Sequence, residues 1–289
     1  MPAVDVPVLA VDGPPGAGKT SVLAKLIPFL GSAAAWFTEP NARLARGLDA
    51  PTHPSPAGHS LWFLRHEQAK ARAMQRLAAD PATRLILCDR NHLGALAYCY
   101  ATHAEDSLPY RTARDFYARH VAPALPERVL TVILLVSPAE SLRRRGGAAE
   151  LPRWKQWFDP DLLERLHHFY THIAPGLCPS PPRVIDTDHA SIRDVLGEIA
   201  EHLRAADITL PGDPTDVPIA GSPEQDSAFA RAYQQLGGLE ALGHTASAPF
   251  DYRHGTVQLY QLGALHRTPD ARTILWNPLA NDPTLRAAS

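Results

Sequence analysis

The fold is decided by the stretch Val6-Pro7-Val8-Leu9-Ala10-Val11-Asp12-Gly13-Pro14-Pro15-Gly16-Ala17-Gly18-Lys19-Thr20-Ser21. Its opening residues form an apolar run typical of a buried strand, and helical apolar spacing follows over about residues 19–29. Residues 13–20 lie between these elements and fill the pattern G-x-x-x-x-G-K-[ST], in the strand and helix context that the motif requires. The stretch therefore predicts a P-loop, a phosphate-binding turn at the head of an α/β domain.

The glycines of this loop predict a tight turn whose backbone N–H groups point at phosphate oxygens, beside the positive end of the following helix. Lys19 is expected to reach the β- and γ-phosphates of ATP, and the Thr20 hydroxyl is expected to hold Mg²⁺. We therefore expect ATP and Mg²⁺ as ligands. The residues expected to bind the nucleotide are Gly13, Gly16, Ala17, Gly18, Lys19, Thr20 and Ser21.

Further apolar runs alternate with helical patterns along the chain, which indicates a parallel sheet. The predicted strands cover residues 6–11, 34–37, 84–88, 128–136 and 183–185. The nearly continuous hydrophobicity of residues 129–136 is typical of a central strand covered on both faces. The predicted helices cover residues 19–29, 60–79, 93–102, 110–121, 160–173 and 191–205. The sequence thus predicts a three-layer α/β/α fold with a parallel sheet and a P-loop, plus a small C-terminal extension that contains β-structure.

The domain organisation follows from changes in composition. Residues 1–206 are predicted to form the P-loop domain, and the proline-punctuated residues 207–225 are predicted to form a linker. Residues 226–289 are predicted to form a small accessory unit with a helix at 227–236 and β-type runs at 256–262 and 273–276.

Within that unit, Leu236-Gly237-Gly238 through Leu242-Gly243, Gly255-Thr256-Val257 and Gly263-Ala264-Leu265-His266 follow one another in the chain. The stretch resembles one copy of the Leu-Gly-Phe-Pro type repeat of actinobacterial envelope proteins, although it lacks the Phe-Pro pair of that repeat. The resemblance leaves two roles open, a docking module or a capping extension.

Composition restricts the function classes. A net charge of −2 over 289 residues gives no sign of a basic face, so no nucleic-acid partner is expected. No run approaches the roughly 18 apolar residues that span a bilayer, so no membrane partner is expected. Cys88, Cys99 and Cys178 are an odd number without metal-like spacing, which is typical of a reduced, cytoplasmic protein.

The strand at residues 84–88 ends in Asp89, and Arg90 follows. A carboxylate at this strand end is expected beside the P-loop, which makes Asp89 the second candidate ligand of Mg²⁺ after Thr20. Hydrolysing ATPases of this class commonly carry Glu after that Asp to activate water. Arg90 instead suits a phosphate or a sugar, although the Asp-Arg pair could also serve only to cap the next helix.

Several of these motifs together resemble the thymidylate kinases and the related deoxynucleoside kinases over about residues 5–204. The resemblance is carried by Leu61-Trp62-Phe63, Asp89-Arg90, Ala97-Tyr98, Val136-Ser137-Pro138 and the run Ser141 to Arg145. It implies that Phe63 stacks on an acceptor base, that Tyr98 binds the acceptor, and that Arg90 contacts the acceptor near its reactive end. It also implies a three-layer α/β/α P-loop kinase fold in which Arg143, Arg144 or Arg145 closes as a lid cation. Arg143 and Arg145 are the candidate catalytic residues of this run.

Two departures from the thymidylate kinase pattern bear on the acceptor. Thr38 stands where bacterial thymidylate kinases carry an acceptor-phosphate Arg, and Glu39-Pro40-Asn41-Ala42-Arg43 is similar to the deoxynucleoside kinase element whose Glu deprotonates the sugar hydroxyl. Glu39 is therefore a candidate general base. Glu67 stands where a base-reading Arg is usual, and a carboxylate suits an acceptor that carries an amine. Arg65 nearby could substitute for that arginine.

These observations predict an ATP-dependent phosphotransferase that moves the γ-phosphoryl group to a nucleoside, a nucleoside monophosphate or a nucleoside-like small molecule. The candidate catalytic residues are Lys19, Glu39, Asp89, Arg90, Arg143 and Arg145. The candidate substrate-binding residues are Glu39, Phe63, Glu67, Arg90 and Tyr98. The alternative is a P-loop ATPase or switch that acts on a protein partner. Related kinases are often dimers, so a homodimer is also an expectation.

Overall fold

A computed structural model describes residues 6–41, 56–78, 82–146, 157–218, 224–253 and 255–276. A parallel sheet of five strands organises the larger part of the chain, in the order β2-β3-β1-β4-β5. Its strands are β1 (Val8–Asp12), β2 (Ala34–Phe37), β3 (Leu85–Asp89), β4 (Val129–Leu135) and β5 (Arg183–Asp186). The five predicted strands and their parallel arrangement are confirmed.

Helices cover both faces of this sheet. They are α1 (Lys19–Leu30), α2 (Pro56–Leu77), α3 (His92–His103), α4 (Leu108–Phe116), α5 (Pro138–Arg144), α6 (Pro160–His168) and α7 (Ile192–Ala205). Side chains of β1 alternate between the faces: Leu9 and Val11 share a core with α1 and α7, whereas Val8 and Ala10 share a core with α2. The three-layer α/β/α fold predicted from the sequence is confirmed.

Two of the predicted helices change their winding before they end. The pattern at 110–121 is α4 followed by a π-helical turn at Tyr117–Val121, and the pattern at 160–173 is α6 followed by a π-helical turn at Phe169–Ile173. Such turns reorient the side chains that follow them and are frequent near functional sites. The second one contains Tyr170, which is buried.

The C-terminal unit is an antiparallel sheet with two short helices. Its strands are β6 (Phe250–Tyr252), β7 (Gly255–Tyr260), β8 (Gly263–Arg267) and β9 (Thr273–Leu275), and its helices are α8 (Ser227–Gln235) and α9 (Gly238–Leu242). The helix predicted at 227–236 and the strands predicted at 256–262 and 273–276 are present. The sequence analysis did not predict β6, β8 and α9.

One face of this small sheet is part of the main hydrophobic core. Trp36 of β2 stacks on Trp276 with ring centroids 5.3 Å apart, and Tyr252 Oη donates to the carbonyl oxygen of Ala34 at 2.9 Å. The opposite face packs on α8 and α9. The C-terminal unit therefore shares its core with α1 and β2, and its division from the P-loop domain at residues 206 and 225 stays a prediction. Within the described segments, no helix combines the length and the apolar composition needed to cross a bilayer.

Candidate active site

A cleft of about 1060 Å³ opens where β1 and β3 end. Gly13 adopts φ = 142°, and a Cβ atom there would lie 2.1 Å from the carbonyl oxygen of Leu134 in β4. Because only glycine permits this approach, the P-loop can pack directly on the central sheet. The cleft is lined by every residue predicted to bind the nucleotide: Gly13, Gly16, Ala17, Gly18, Lys19, Thr20 and Ser21.

The ammonium group of Lys19 turns back over the loop. Its Nζ donates to the carbonyl oxygens of Gly13 and Pro14, each at 2.7 Å. Burial, assisted by repulsion from Arg90, lowers the pKa of Lys19 to about 7. Phosphate oxygens at this position would favour the charged form, because a nearby negative charge raises the pKa of an amine. The loop is therefore arranged to gain from binding an anion.

Asp12 ends β1 and its carboxylate is fully buried. Oδ1 accepts hydrogen bonds from the backbone N–H of Gly13 and from Tyr170 Oη, each at 2.7 Å. Oδ2 accepts from the backbone N–H groups of Asn91 at 3.0 Å and Gly94 at 3.1 Å. One side chain thus fixes the start of the P-loop against the start of α3 and against the helical segment that carries Tyr170.

Arg90 joins the second and third strand ends to the P-loop. Its backbone is left-handed with φ = 63°, a conformation that costs a residue other than glycine about 1–2 kcal/mol. Nε donates to Oε2 of Glu39 at 2.9 Å, and Nη1 donates to the carbonyl oxygen of Gly13 at 3.1 Å. Lys70 Nζ donates to the Arg90 carbonyl oxygen at 3.0 Å. The structure thus brings Glu39 and Arg90, predicted from separate motifs, together beside the P-loop.

Asp89 and Thr20 both line the cleft, as expected for ligands of Mg²⁺. Burial raises the pKa of Asp89 to about 6, and repulsion from Glu39 adds to the rise. A divalent cation would offset both effects, and carboxylate and hydroxyl oxygens suit Mg²⁺. Among the described residues, no group of three or more His, Cys, Asp or Glu could hold a metal. Asp89 and Thr20 offer two oxygen atoms of the kind that Mg²⁺ binds beside phosphates and water.

An aromatic pocket continues the cleft away from the loop. It is lined by Phe63, Tyr98, Trp157 and Tyr170. The rings of Tyr98 and Trp157 lie with their centroids 5.5 Å apart. Flat aromatic walls of this kind fit a planar ligand, and the structure brings the predicted acceptor residues Phe63 and Tyr98 to the same cleft as the P-loop.

Glu67 lines the same cleft from α2 and is 6% exposed. Its Oε1 accepts a hydrogen bond from Lys70 Nζ at 2.7 Å. Burial raises the pKa of Glu67 above its usual range, while the charge of Lys70 acts against that rise. Arg65, the alternative base-reading residue, is exposed on α2 and is not among the residues that line the cleft.

The three arginines of the run lie at the end of α5 and differ in position. Arg143 has a side chain that is 73% exposed and donates from Nε and Nη2 to the two oxygens of Glu140, each at 2.6 Å. It does not line the cleft, whereas Arg144 and Arg145 do. Of the two arginines selected as candidate catalytic residues, the structure therefore brings only Arg145 to the site.

Arg144 bridges the P-loop and the end of β5. Its Nη1 donates to the carbonyl oxygen of Gly16 and to Thr187 Oγ1, each at 3.2 Å. Arg145 Nη2 donates to Ser141 Oγ at 3.0 Å, one turn back along α5. Arg144 is thus the arginine of the run that contacts the nucleotide-binding loop.

Sequence reasoning did not identify Asp12, Lys70 and Tyr170 as site residues. Asp12 carried a signal, since a carboxylate at the end of a buried strand directly before the P-loop requires partners. Lys70 lies one helical turn after Glu67, which is the spacing of an ion pair. Tyr170 carried no signal, because its placement depends on the π-helical turn. Ala42 and Arg43 of the deoxynucleoside kinase element lie outside the described residues.

The site and the fold can be compared with known proteins. No curated protein matches the chain. Deoxyadenosine kinase from M. mycoides with bound dATP is 17% identical, with a TM-score of 0.50 over 68% of this chain and 98% of that chain. The same kinase with the products dCMP and a flexible dCDP is 20% identical, with a TM-score of 0.48 over 69% and 99%.

The dATP complex shows that the chain has a P-loop nucleoside kinase fold, which confirms the fold that the resemblance implied. The model of an AAA domain family, AAA_28, matches residues 9–170. That range runs from β1 to Tyr170 and includes the P-loop, Glu39, Arg90 and α5. The match covers more than half of the chain, which therefore belongs to the AAA domain family AAA_28.

Proposed function

We propose that the chain transfers the γ-phosphoryl group of ATP to a hydroxyl group of a nucleoside or of a nucleoside-like small molecule. The observation that carries this proposal is the ion pair of Glu39 and Arg90, 2.9 Å long, whose arginine also donates to Gly13 of the P-loop. A carboxylate is thereby held at the junction between a phosphate-binding loop and an aromatic pocket. A hydrolase that only activates water has no use for such a pocket.

In this proposal the P-loop binds the triphosphate of ATP, and Mg²⁺ on Thr20 and Asp89 neutralises phosphate charge when bound. Glu39 accepts the proton of the acceptor hydroxyl. The hydroxyl oxygen forms a bond to the γ-phosphorus, the bond from that phosphorus to the β–γ bridging oxygen breaks, and ADP leaves with the electron pair. Lys19 and Arg90 stabilise the negative charge that spreads over the transferring group.

The cleft favours an acceptor that is planar and uncharged. Phe63 and Tyr98 offer aromatic faces to a base, and the buried Glu67 offers hydrogen-bond acceptors to an exocyclic amine. Among the cleft arginines that the structure describes besides Arg90, Arg144 holds Gly16 and Arg145 holds Ser141. With Thr38 in place of an arginine, a nucleoside suits this site better than a nucleoside monophosphate.

The test is ADP formation by the purified chain with Mg-ATP and a panel of nucleosides and their monophosphates, chosen with and without an exocyclic amine. We expect ADP to form with an amine-bearing nucleoside and the Lys19→Ala variant to form none. Glu39→Gln keeps the shape and the contact with Arg90 but cannot take the proton, so we expect kcat to fall by about 10²–10⁴. ATP affinity should change little.

Other outcomes would select other functions. ADP formation with monophosphates alone would make the chain a nucleotide kinase. Slow ADP formation at a rate that no acceptor changes, but that rises with a protein partner, would favour the ATPase or switch.

A cytoplasmic setting and a small-molecule partner, without nucleic acid or membrane, belong to the same proposal. The buried, unbridged thiols of Cys88 and Cys99 are consistent with a reducing compartment.

A further inference from the structure

A turn of the C-terminal unit lines the same cleft as the P-loop. The turn between β7 and β8 contributes Gln261, Leu262 and Gly263 to the wall that also contains Glu39 and Arg90. It lies far beyond residue 170, where the match to the AAA domain family ends. The cleft of this chain is therefore built in part from a segment outside the family's own domain.

The side chain of Asn41 attaches this turn to the loop that carries Glu39. Asn41 Nδ2 donates to the carbonyl oxygen of Leu262 at 2.8 Å and to that of Ala241 in α9 at 3.0 Å. Only Pro40 separates Asn41 from Glu39, and proline fixes its own φ angle. The position of Glu39 is thus coupled closely to the position of Asn41.

The attachment point on the C-terminal side is itself held firmly. The backbone N–H of Leu262 donates to the carbonyl oxygen of Leu242 at 2.9 Å. Gln261 exchanges two further hydrogen bonds with His244: its N–H donates to the His244 carbonyl oxygen, and its Oε1 accepts from the His244 N–H, each at 3.0 Å. The turn is therefore a rigid support for Asn41.

The strand that leads into the Glu39 loop is held by the same unit. Trp36 of β2 packs against Tyr252 with ring centroids 5.7 Å apart, and Tyr252 Oη holds the carbonyl oxygen of Ala34. The segment from β2 to Asn41 is therefore attached to the C-terminal unit at both of its ends. Glu39 lies between these attachments and faces Arg90.

We infer that the C-terminal unit sets the geometry of the Glu39 base and that Asn41 is the positioning residue through which it acts. The role applies to the proposed function, in which Glu39 must meet the acceptor hydroxyl. Without the two hydrogen bonds of Asn41, Glu39 would sample positions away from Arg90. Displacement of a reacting group by about 1 Å can lower a rate by about 100-fold.

Two variants of Asn41 test this role in the full-length chain. Asn41→Ala removes the side-chain amide, and Asn41→Asp keeps the shape but sets a carboxylate against two carbonyl oxygens. We expect kcat to fall by about 10-fold to 100-fold, more for Asn41→Asp, with an unchanged KM for ATP. The matched control is Tyr252→Phe, which loses only the hydrogen bond to Ala34 and keeps the ring packing on Trp36, so that end stays attached and kcat should stay at the wild-type value.

The result that overturns the inference is a wild-type kcat for both Asn41 variants, whatever their melting temperatures. Hydrogen exchange gives a readout that needs no turnover. The backbone amides of residues 38, 39 and 41 and of residues 260–263 should exchange faster in Asn41→Ala than in the wild type, and unchanged exchange would also overturn the inference. If the wild type phosphorylates no acceptor, the proposed function fails by itself, and the exchange comparison still decides whether Asn41 couples the two segments.

Discussion

Tyr170 Oη donates a hydrogen bond of 2.7 Å to Oδ1 of Asp12, across 158 positions of the chain. Both residues are buried, and the same carboxylate accepts from the first backbone N–H of the P-loop. The loop is therefore positioned before any nucleotide arrives, by a strand-end carboxylate and a tyrosine that a π-helical turn directs toward it.

Replacement of Asp12 by asparagine should weaken this arrangement strongly. An NH₂ group replaces one carboxylate oxygen, and this group cannot accept hydrogen bonds. If it replaces Oδ2, the N–H groups of Asn91 and Gly94 lose their acceptor. If it replaces Oδ1, the Tyr170 hydroxyl and the Gly13 N–H lose theirs. Each buried donor left unpaired costs about 1–3 kcal/mol. We expect Asp12→Asn to lower the free energy of unfolding by about 2–5 kcal/mol, measured by urea denaturation.

Tyr170→Phe is the milder companion, because it removes one donor and leaves the other bonds of Asp12 intact. Its cost should be about 1 kcal/mol. Equal, small losses for both variants would contradict the role of Asp12 as the organising carboxylate.

The run of arginines should divide into two classes. Arg143 is exposed and pairs with Glu140, so Arg143→Ala should change kcat/KM by less than about 3-fold, as expected for a surface ion pair. Arg144 holds the P-loop and Thr187, so Arg144→Ala should raise the KM for ATP by about 10-fold or more. Steady-state kinetics on the two variants decides, and the reverse order of effects would contradict the geometry.

Acid should destabilise the chain through His92. Burial lowers the pKa of His92 to about 4, from 6.5 in the unfolded chain. Between these two pKa values the unfolded state binds a proton at His92 and the folded state does not. The contribution of neutral His92 to the free energy of unfolding is therefore present above pH 6.5 and is lost as the pH falls toward 4. The loss from this one group should reach about 3 kcal/mol.

His92→Phe isolates this effect. His92 Nε2 lies 3.0 Å from the Leu177 carbonyl oxygen, which keeps its bond from Tyr117 Oη in the variant. At pH 7.5 the free energy of unfolding of the variant should be about 1 kcal/mol below that of the wild type. Between pH 7.5 and pH 4.5 the difference should shift by about 2–3 kcal/mol in favour of the variant. Urea denaturation at both pH values measures this change, and two parallel pH profiles would contradict it.

The shared core should make the P-loop domain dependent on the C-terminal unit. A chain of residues 1–225 would expose Trp36, which is now 2% exposed between Tyr252 and Trp276. Loss of this packing should lower the melting temperature by about 10 °C or more, or leave the chain insoluble. Equal melting temperatures for the truncated and the full chain would mean that residues 226–289 are an independent unit.

Much of the larger domain follows from the sequence, because strands β1 to β4 are largely buried on both faces and appear as nearly continuous apolar runs. The P-loop could be located to the residue, since only glycine permits the approach of Gly13 to β4. The meeting of Glu39 with Arg90 was not predicted, because it depends on β2 lying beside β3, and the apolar runs do not report the order of the strands.

Other elements could not be predicted from apolar spacing. The helix α5 has seven residues, too few to show a helical period, although Ser137 and Pro138 are typical of a helix start. The three-residue strand β6 shows no alternation for the same reason. The contacts of Asn41 depend on a turn more than 200 positions away in the chain, and no local pattern reports them.

Tracing a label on the γ-phosphoryl group of ATP would show whether that group passes to a small neutral acceptor. The full chain would be incubated with γ-labelled ATP, Mg²⁺ and an amine-bearing nucleoside, and the labelled species would be separated by chromatography. We expect a labelled phosphoester of the nucleoside, absent with Lys19→Ala and strongly reduced with Glu39→Gln. Label found only in inorganic phosphate, at a rate that no acceptor changes, would contradict the proposal.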